Sequence, residues 1–139
     1  MIYVYNRTKE DFSFSPNNYY IGRGGILGNP YSWLPDDKCI AIYKCKNRDE
    51  SLEKYSKYFD MMYGANKEFT KIINEIYEKY KNGEDIFLEC YCKKYSCLDK
   101  TIHDDEVSCH GDIIARKLQQ MLIREKLREA KENRRKENA

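Results

Sequence analysis

The sequence predicts an α/β protein: a small single-domain three-layer or Rossmann-like sheet with helices, plus a charged C-terminal helix. Three observations predict this class. Short β-branched and aromatic segments alternate with segments whose apolar residues recur at helical spacing. Three large apolar residues stand together at positions 86–88, as in a strand buried at the centre of a parallel sheet. The 139 residues, 41% of them hydrophobic, are enough to bury one core.

The first part of the chain predicts short strands and a glycine-rich loop. Residues 2–5 and 19–21 are β-branched and aromatic, and we expect a strand at both places. Four of the seven glycines lie in the segment that follows the second strand, residues 22–30, which we call the glycine loop. Residues 39–45 permit either a strand or the first turns of a helix, and we interpret them as a strand.

Two amphipathic helices are predicted in the middle of the chain. The first follows the capping candidates of residues 47–51 and is ended by Gly-Ala-Asn at 64–66. The second is ended by Asn-Gly at 82–83. Their apolar residues are Leu52, Tyr55, Phe59 and Met62 in the first helix and Phe69, Ile72, Ile73, Ile76, Tyr77 and Tyr80 in the second.

The strongest strand candidate, residues 85–89, comes next and leads into a cysteine-rich region. A last helix is predicted from Asp112, with an apolar face that fades after Leu127. The residues beyond are nearly all charged or polar, as in a solvated helix end. We therefore assign residues 1–122 to a single α/β domain and residues 123–139 to a charged helical tail.

The glycine loop is the first candidate site. Glycines allow backbone N–H groups to approach a ligand closely, and the guanidinium of Arg23 offers a fork of donors for phosphate or carboxylate. The spacing matches neither the dinucleotide fingerprint nor the phosphate-cradling loop, so a purely structural turn is the alternative. The ligand-binding candidates in this loop are Gly22, Arg23, Gly24, Gly25, Gly28 and Asn29.

The second candidate site is Cys-His-Gly-Asp at residues 109–112, where the last helix is expected to begin. The N–H groups and the dipole of a helix start favour a phosphate or carboxylate and stabilise a thiolate. In the alternative, Asp112 caps the helix, Gly111 turns the chain and Cys109 packs in the core. The catalytic candidates, as nucleophile or acid/base groups, are Cys109, His110 and Asp112, and the remaining ligand-binding candidates are Gly111 and Cys92.

A structural zinc site is an alternative for the cysteine-rich region. Six soft or borderline ligands lie close together in the sequence: Cys90, Cys92, Cys97, His103, Cys109 and His110. Zinc knuckles place two to four residues between their cysteines, whereas Cys90 and Cys92 are separated by only one. The spacing also matches no common iron–sulfur run. We prefer no cofactor and keep zinc, on Cys90, Cys92, Cys97 and Cys109, as the alternative.

Composition limits the compartment and the partners. The net charge is only +2, and glutamates interleave with the basic residues of the last helix, which favours a solvated face over a nucleic-acid contact. The alternative is a direct contact with nucleic acid through Lys117, Arg124, Arg128, Arg134 and Arg135. No apolar run reaches the length of a membrane span, and the first residues lack the regions of a signal peptide. We expect a cytoplasmic protein with no membrane partner. The last helix could pack on the domain or pair with a second copy of the chain, so a homo-oligomer is one of the alternatives.

Two separated motifs resemble a known family. Gly-Arg-Gly at 22–24 with Leu-Gly-Asn-Pro at 27–30, and Cys-Tyr-Cys at 90–92 with Cys-His-Gly-Asp-Ile-Ile-Ala at 109–115, look like those of the domain-of-unknown-function 4326 family of bacteria and their phages. The resemblance implies a compact α/β domain in a bacterial host cell and brings no established activity. The second motif is compact in the family, so we interpret residues 93–108 as an inserted loop that could act as a lid.

The preferred hypothesis is that this protein binds a nucleotide or another phosphorylated small molecule. Because parallel strands place their following loops at one edge of the sheet, the glycine loop and residues 109–112 would face each other. Arg23 and the loop amides would hold phosphate, and Asn29 would fix the loop or bond a polar edge of the ligand. The alternative is an enzyme that cleaves or transfers at a glycosidic or phosphoester bond of a nucleotide. The second alternative is a zinc-stapled interaction module.

Overall fold

A computed structural model of the protein describes residues 1–32, 43–91 and 109–138. The described residues form five strands and three helices, so the predicted α/β class is confirmed. The strands are β1 (Ile2–Asn6), β2 (Asn18–Tyr20), β3 (Tyr31–Ser32), β4 (Tyr43–Lys44) and β5 (Ile86–Cys90). The helices are α1 (Arg48–Ala65), α2 (Lys67–Lys81) and α3 (His110–Glu137).

Strand β5 lies at the centre of a three-stranded sheet in the order β1-β5-β2. Both neighbours run parallel to it, so the carboxyl ends of all three strands lie at one edge. Strands β3 and β4 pair separately, also in parallel. Ile86 and Leu88 are fully buried, which confirms the prediction of a central buried strand at residues 85–89.

The two faces of the sheet are covered differently. Successive residues of a strand point to opposite faces, and the described helices pack on the face that carries Val4 and Leu88. On the other face the ring of Phe87 stacks against Tyr3 and Phe12, with centroids 5.4 and 4.5 Å apart. The helical residues that complete the buried core are Tyr55, Phe59, Phe69, Ile73, Ile76, Tyr77, Ile114 and Leu118.

The ends of α1 and α2 follow the predicted signals. The side chain of Asn47 accepts a hydrogen bond from the first turn of α1, and the side chain of Asn66 does the same for α2. Gly64, with φ +98°, kinks the chain just before the end of α1. Gly83, with φ +86°, follows α2 in the left-handed region that favours glycine. The predicted breaks at these two places are confirmed.

Helix α3 begins at His110, within the expected segment 109–112, and Cys109 rather than Asp112 occupies the capping position. Ile123 and Leu127 are 59% and 58% exposed and residues 126–138 are all exposed, so the apolar face of α3 ends before Leu127. The reason is length: at ~1.5 Å per residue the 28 residues of α3 extend about 42 Å and the 15 residues of α2 only about 22 Å. The charged tail is a continuation of this helix.

Several sequence predictions fall outside the described residues. They concern residues 39–42 of the predicted strand, the inserted loop at 93–108, and the side chains of Cys92, Cys97 and His103. The rest of that strand prediction is confirmed where β4 begins at Tyr43. Among the helices described, none combines the length and the apolar character needed to cross a membrane.

Candidate functional site

Both predicted motifs lie at the carboxyl edge of the sheet and contact each other. Strand β2 leads through Ile21 into the glycine loop, and α3 begins at the same edge. The His110 imidazole bonds through Nε2 to the backbone carbonyl oxygen of Ile21, the residue before the loop. The contact arises because parallel strands bring the segments that follow them to one edge.

Gly111 allows α3 to approach the sheet closely. A Cβ at this buried position would lie 2.5 Å from Val4 Cγ1 and 2.7 Å from Ile21 Cδ1, closer than side-chain atoms approach. Glycine is therefore required for the first turn of α3 to lie on β1 and on the residue after β2. Gly111 is helical rather than part of a turn, and its role in this structure is packing.

Cys109 and Asp112 form a capping box at the start of α3. Cys109 Sγ accepts a hydrogen bond from the Gly111 N–H at 3.3 Å, and Asp112 Oδ2 accepts one from the Cys109 N–H at 3.2 Å. Cys109 is only 1% exposed. The packing and capping roles considered as the alternative for these residues are therefore present, and both N–H groups are already engaged at this helix start.

His110 is buried with its ring edge-on to that of Tyr55, at a centroid distance of 5.1 Å. Burial lowers the pKa of His110, an effect that its bond to the Ile21 carbonyl opposes. Because Nε2 carries the hydrogen of that bond, we assign Nδ1 as an acceptor, and it lies 3.8 Å from Cys109 Sγ. A neutral imidazole that is oriented by a carbonyl and lies beside a thiol has the parts of a nucleophile and its base.

The lowered pKa of His110 predicts a pH-dependent stability. As the pH falls below the ordinary value of 6.5, the unfolded chain takes up this proton before the folded protein does. The free energy of unfolding should therefore be constant above that pH and fall below it, by up to about 1.4 kcal/mol per pH unit, until the folded-state pKa is reached.

Urea denaturation at three pH values between 7.5 and 5.5 measures this slope. The variant His110→Gln is expected to lose most of it. His103→Gln removes the other histidine of the chain, and comparison with it separates the contribution of His110 from that of His103. An unchanged slope in His110→Gln would rule out His110 as its source.

Cys90 ends the central strand and brings a second thiol to the site. Its Sγ lies 3.3 Å from the Tyr5 carbonyl oxygen, to which it donates, and 3.5 Å from Cys109 Sγ. The separation of the sulfurs is close to the roughly 3.8 Å between two thiolates on one tetrahedral zinc with Zn–S bonds of about 2.3 Å. Among the described residues no three His, Cys, Asp or Glu side chains form a metal-binding group, and the candidates Cys92 and Cys97 lie outside them.

The Arg23 guanidinium closes the glycine loop with one of its nitrogens. Nη1 donates to the carbonyl oxygens of Asn29 at 2.7 Å and Tyr31 at 2.8 Å, which uses both of its hydrogens. Nε and Nη2 make no hydrogen bond to the described part of the chain. After burial, the Arg23 charge also contributes to lowering the pKa of His110, so the guanidinium lies in the neighbourhood of the start of α3.

Asn29 is buried and fixes the loop, the first of its two predicted roles. Its Oδ1 accepts from the Tyr31 N–H at 2.9 Å, and its Nδ2 donates to Ser51 Oγ at 2.8 Å. Ser51 Oγ in turn donates to the Tyr31 carbonyl oxygen at 3.0 Å. These bonds tie the end of the loop to the first turn of α1, so the position of Arg23 depends on them.

Within the loop, the glycine amides are partly used by the loop itself. The Gly25 N–H donates to the Gly22 carbonyl at 3.2 Å, and the Gly28 N–H donates to the Gly25 carbonyl at 3.0 Å. The N–H groups of Arg23 and Gly24 donate to no acceptor in the described ranges. These two amides and the outer edge of the Arg23 side chain are therefore among the donors left for an anion. The N–H groups of Gly22, Ile26, Leu27 and Asn29 likewise donate to no acceptor in the described residues.

Sequence reasoning missed three side chains at this edge. Asn6 ends β1, is buried, and donates from Nδ2 to the Tyr91 carbonyl oxygen at 3.3 Å. Tyr20 and Tyr91 are 44% and 57% exposed, and their ring centroids lie 6.4 Å apart. Tyr20 Oη donates to the Arg23 carbonyl oxygen at 3.0 Å, which places its ring beside the glycine loop. Their position in the sequence could have indicated them, because each residue stands at or just beyond the end of a strand.

Comparison with known proteins matches the chain to one family. The family model described as a domain of unknown function (DUF4326) matches residues 4–120. This range begins in β1 and ends in the packed part of α3, so it contains both motifs. No curated protein and no solved structure matches the chain.

Proposed function

The chain belongs to the DUF4326 family, for which no function is defined, and from the geometry of its site we propose that it binds a nucleotide or another phosphorylated small molecule. The ligand lies at the carboxyl edge of the sheet, between the glycine loop and the start of α3. The setting is the cytoplasm of a bacterial cell, with the gene carried by the bacterium or by a phage. In open parallel sheets this edge is the usual position of a ligand.

The open edge of Arg23 is the observation that supports this proposal most. A guanidinium that is fixed through Nη1 loses little further freedom when Nε and Nη2 bind a second partner. Their two parallel N–H groups match two oxygens of a phosphate, and such charge-assisted bonds are stronger than neutral ones. The N–H groups of Arg23 and Gly24 would add donors from the backbone.

The other residues of the site contribute in different ways. The dipole of α3 favours an anion near its start, although the capping box engages the Gly111 N–H, so the helix acts through its field rather than through that bond. Asn29 acts indirectly by holding the loop. The exposed rings of Tyr20 and Tyr91 offer faces on which a base could stack.

Arg23→Gln is the variant that tests this proposal. Isothermal titration calorimetry with ADP and with inorganic phosphate should show at least about 100-fold weaker binding, because the two charge-assisted hydrogen bonds of Nε and Nη2 are lost and each costs roughly 1.5–3 kcal/mol. Arg116→Gln removes the same charge from an exposed position on α3 and should bind as the wild type does. Ser51→Ala loosens the loop without removing a charge and should have an intermediate effect.

Two results would count against the proposal. The first is a wild-type protein that binds neither probe at millimolar concentration. The second is an equal affinity in Arg23→Gln and Arg116→Gln, since the guanidinium would then make no contact with the ligand.

The contact of Cys109 with His110 supports a second candidate function. This candidate is an enzyme that cleaves or transfers at a glycosidic or phosphoester bond of a nucleotide. The thiol proton would move to His110 Nδ1, 3.8 Å away, as Sγ attacks the glycosidic carbon or the phosphorus of the ligand. The bond from that atom to the base or to the alcohol oxygen would break, and His110 would return the proton to this leaving group. Asp112 is engaged in the capping box, which leaves His110 as the acid/base group. The burial of Cys109 requires the start of α3 to open before a substrate reaches the sulfur.

Chromatography of AMP and ADP after incubation with the protein distinguishes the two candidates. An enzyme yields products, and Cys109→Ser should stop their formation while ligand binding is kept. Ligand binding without any product would exclude the enzyme hypothesis. The distance of 3.5 Å between the Cys90 and Cys109 sulfurs supports the zinc-stapled interaction module. This hypothesis requires stoichiometric zinc whose removal unfolds the chain.

A further inference from the structure

Helix α3 carries a row of basic side chains along one face. Successive members of the row are three, four or seven positions apart, and at ~100° per residue all of them fall within an arc of about 60°. No aspartate or glutamate of α3 falls within that arc. We call this row the basic face, and its residues are Lys117, Arg124, Arg128, Lys131 and Arg135.

The glutamates that interleave with these residues in the sequence lie beside the basic face. Glu125 and Glu132 are turned about 80° and 60° from Lys117, and Glu129 about 120°. Glu125 is also neutralised by Lys81, with Nζ and Oε1 2.6 Å apart. In the sequence these glutamates alternate with the basic residues, which argued against nucleic acid. In the folded helix they lie outside the basic face.

Four of the five cations form no salt bridge with the described residues, although Arg128 lies near enough to Glu125 to interact with its charge. Lys117 pairs with Asp60 at 3.0 Å, whereas Arg124, Arg128, Lys131 and Arg135 are exposed and form no ion pair or hydrogen bond with described residues. They follow one another at intervals of about 4.5 to 6 Å along the helix axis. Like charges at such spacing repel each other, so a polyanion alongside would stabilise them.

We propose that the basic face of α3 binds duplex DNA through its phosphates, independently of base sequence. Arg124, Arg128 and Lys131 line a cleft of about 830 Å³ between α3 and the helices α1 and α2. Tyr63, Tyr77 and the carboxylates of Glu78 and Glu125 also line this cleft. The helix then continues with every residue from 126 to 138 exposed. An exposed helix about 10–12 Å across fits the roughly 12 Å major groove of DNA, whereas the major groove of duplex RNA is too narrow and deep.

The charge density of DNA matches this surface. The duplex presents one negative charge for about every 1.7 Å of its axis, so each unpaired cation of the basic face can reach a phosphate. Arg124 lies about 21 Å along α3 from His110, away from the carboxyl edge of the sheet. The DNA surface is thus separate from the proposed ligand site, and either proposal can fail without the other.

Fluorescence anisotropy with a 20-base-pair DNA duplex, titrated at several salt concentrations, tests the proposal. Each neutralised phosphate contributes about −0.9 to the slope of log K against log salt, so four cations predict a slope of roughly −3 to −4. Arg124→Gln with Arg128→Gln should reduce the slope by about 2 and weaken binding at least about tenfold.

The control pair is Lys126→Gln with Arg134→Gln. It removes the same charge from exposed residues of the same helix that lie outside the basic face, and it should leave the slope and the affinity nearly unchanged. Equal losses in the two double variants would overturn the proposal, because total charge rather than the face would then decide binding. Absence of DNA binding at 50 mM salt would overturn it as well, as would tighter binding to an RNA duplex of equal length.

Discussion

Leu88→Ala is expected to lower the free energy of unfolding by about 2–5 kcal/mol, among the largest effects of any single substitution in this chain. Leu88 is fully buried in β5 and pairs with Val4 of β1 and Tyr19 of β2. Truncation removes buried apolar surface and leaves a cavity between the sheet and the helices that cover it. Urea denaturation at neutral pH measures the loss.

Leu127→Ala is the matched control for this prediction. It removes the same atoms from a side chain that is 58% exposed on α3, and it should change the free energy of unfolding by less than about 0.5 kcal/mol. Similar losses in the two variants would be incompatible with a core centred on β5.

Gly28→Ala should cost about 3 kcal/mol of stability and weaken any ligand held by the glycine loop. A Cβ at this position would lie 2.5 Å from the Gly22 carbonyl oxygen and 3.1 Å from Arg23 Cα and the Gly25 carbonyl oxygen. All three are backbone atoms, so no side-chain rotation relieves the overlap. The loop must open, and the guanidinium of Arg23 moves with it.

Gly25→Ala provides the comparison within the same loop. Its Cβ would meet the Tyr20 ring at 3.2 Å and the Gly22 carbonyl oxygen at 3.4 Å, distances that a small shift of the ring relieves. We expect a loss of less than about 1 kcal/mol in denaturation experiments. If Gly25→Ala were the more damaging variant, the described path of the loop would be wrong.

The fold could be predicted because its signals are local. The apolar run at 86–88 and the helical spacing of Leu52, Tyr55 and Phe59 are set by neighbours in the sequence, as are the caps at Asn47 and Asn66. The start of α3 lies within the expected segment 109–112, but its capping residue was predicted less accurately, because cysteine is an uncommon capping residue and Asp112 gives the stronger signal.

The position of the candidate site in the fold could also be predicted, but the hydrogen-bond partners of its residues could not. Place follows from the parallel order of the strands, which brings the glycine loop to the start of α3. The hydrogen-bond partners depend on contacts between residues that are distant in the sequence, such as the bond from His110 to Ile21, 89 positions away. Arg23 likewise bonds two carbonyls that only the folded loop presents. Catalysis by Cys109 or His110 stays a prediction.

Native mass spectrometry of the protein purified from cells without chelator tests the central claim most directly. We expect the wild type to carry a phosphorylated small molecule of nucleotide size, which Arg23→Gln loses and Arg116→Gln retains. A zinc mass with no organic ligand, or the same small molecule retained by Arg23→Gln, would contradict a phosphate site on the glycine loop.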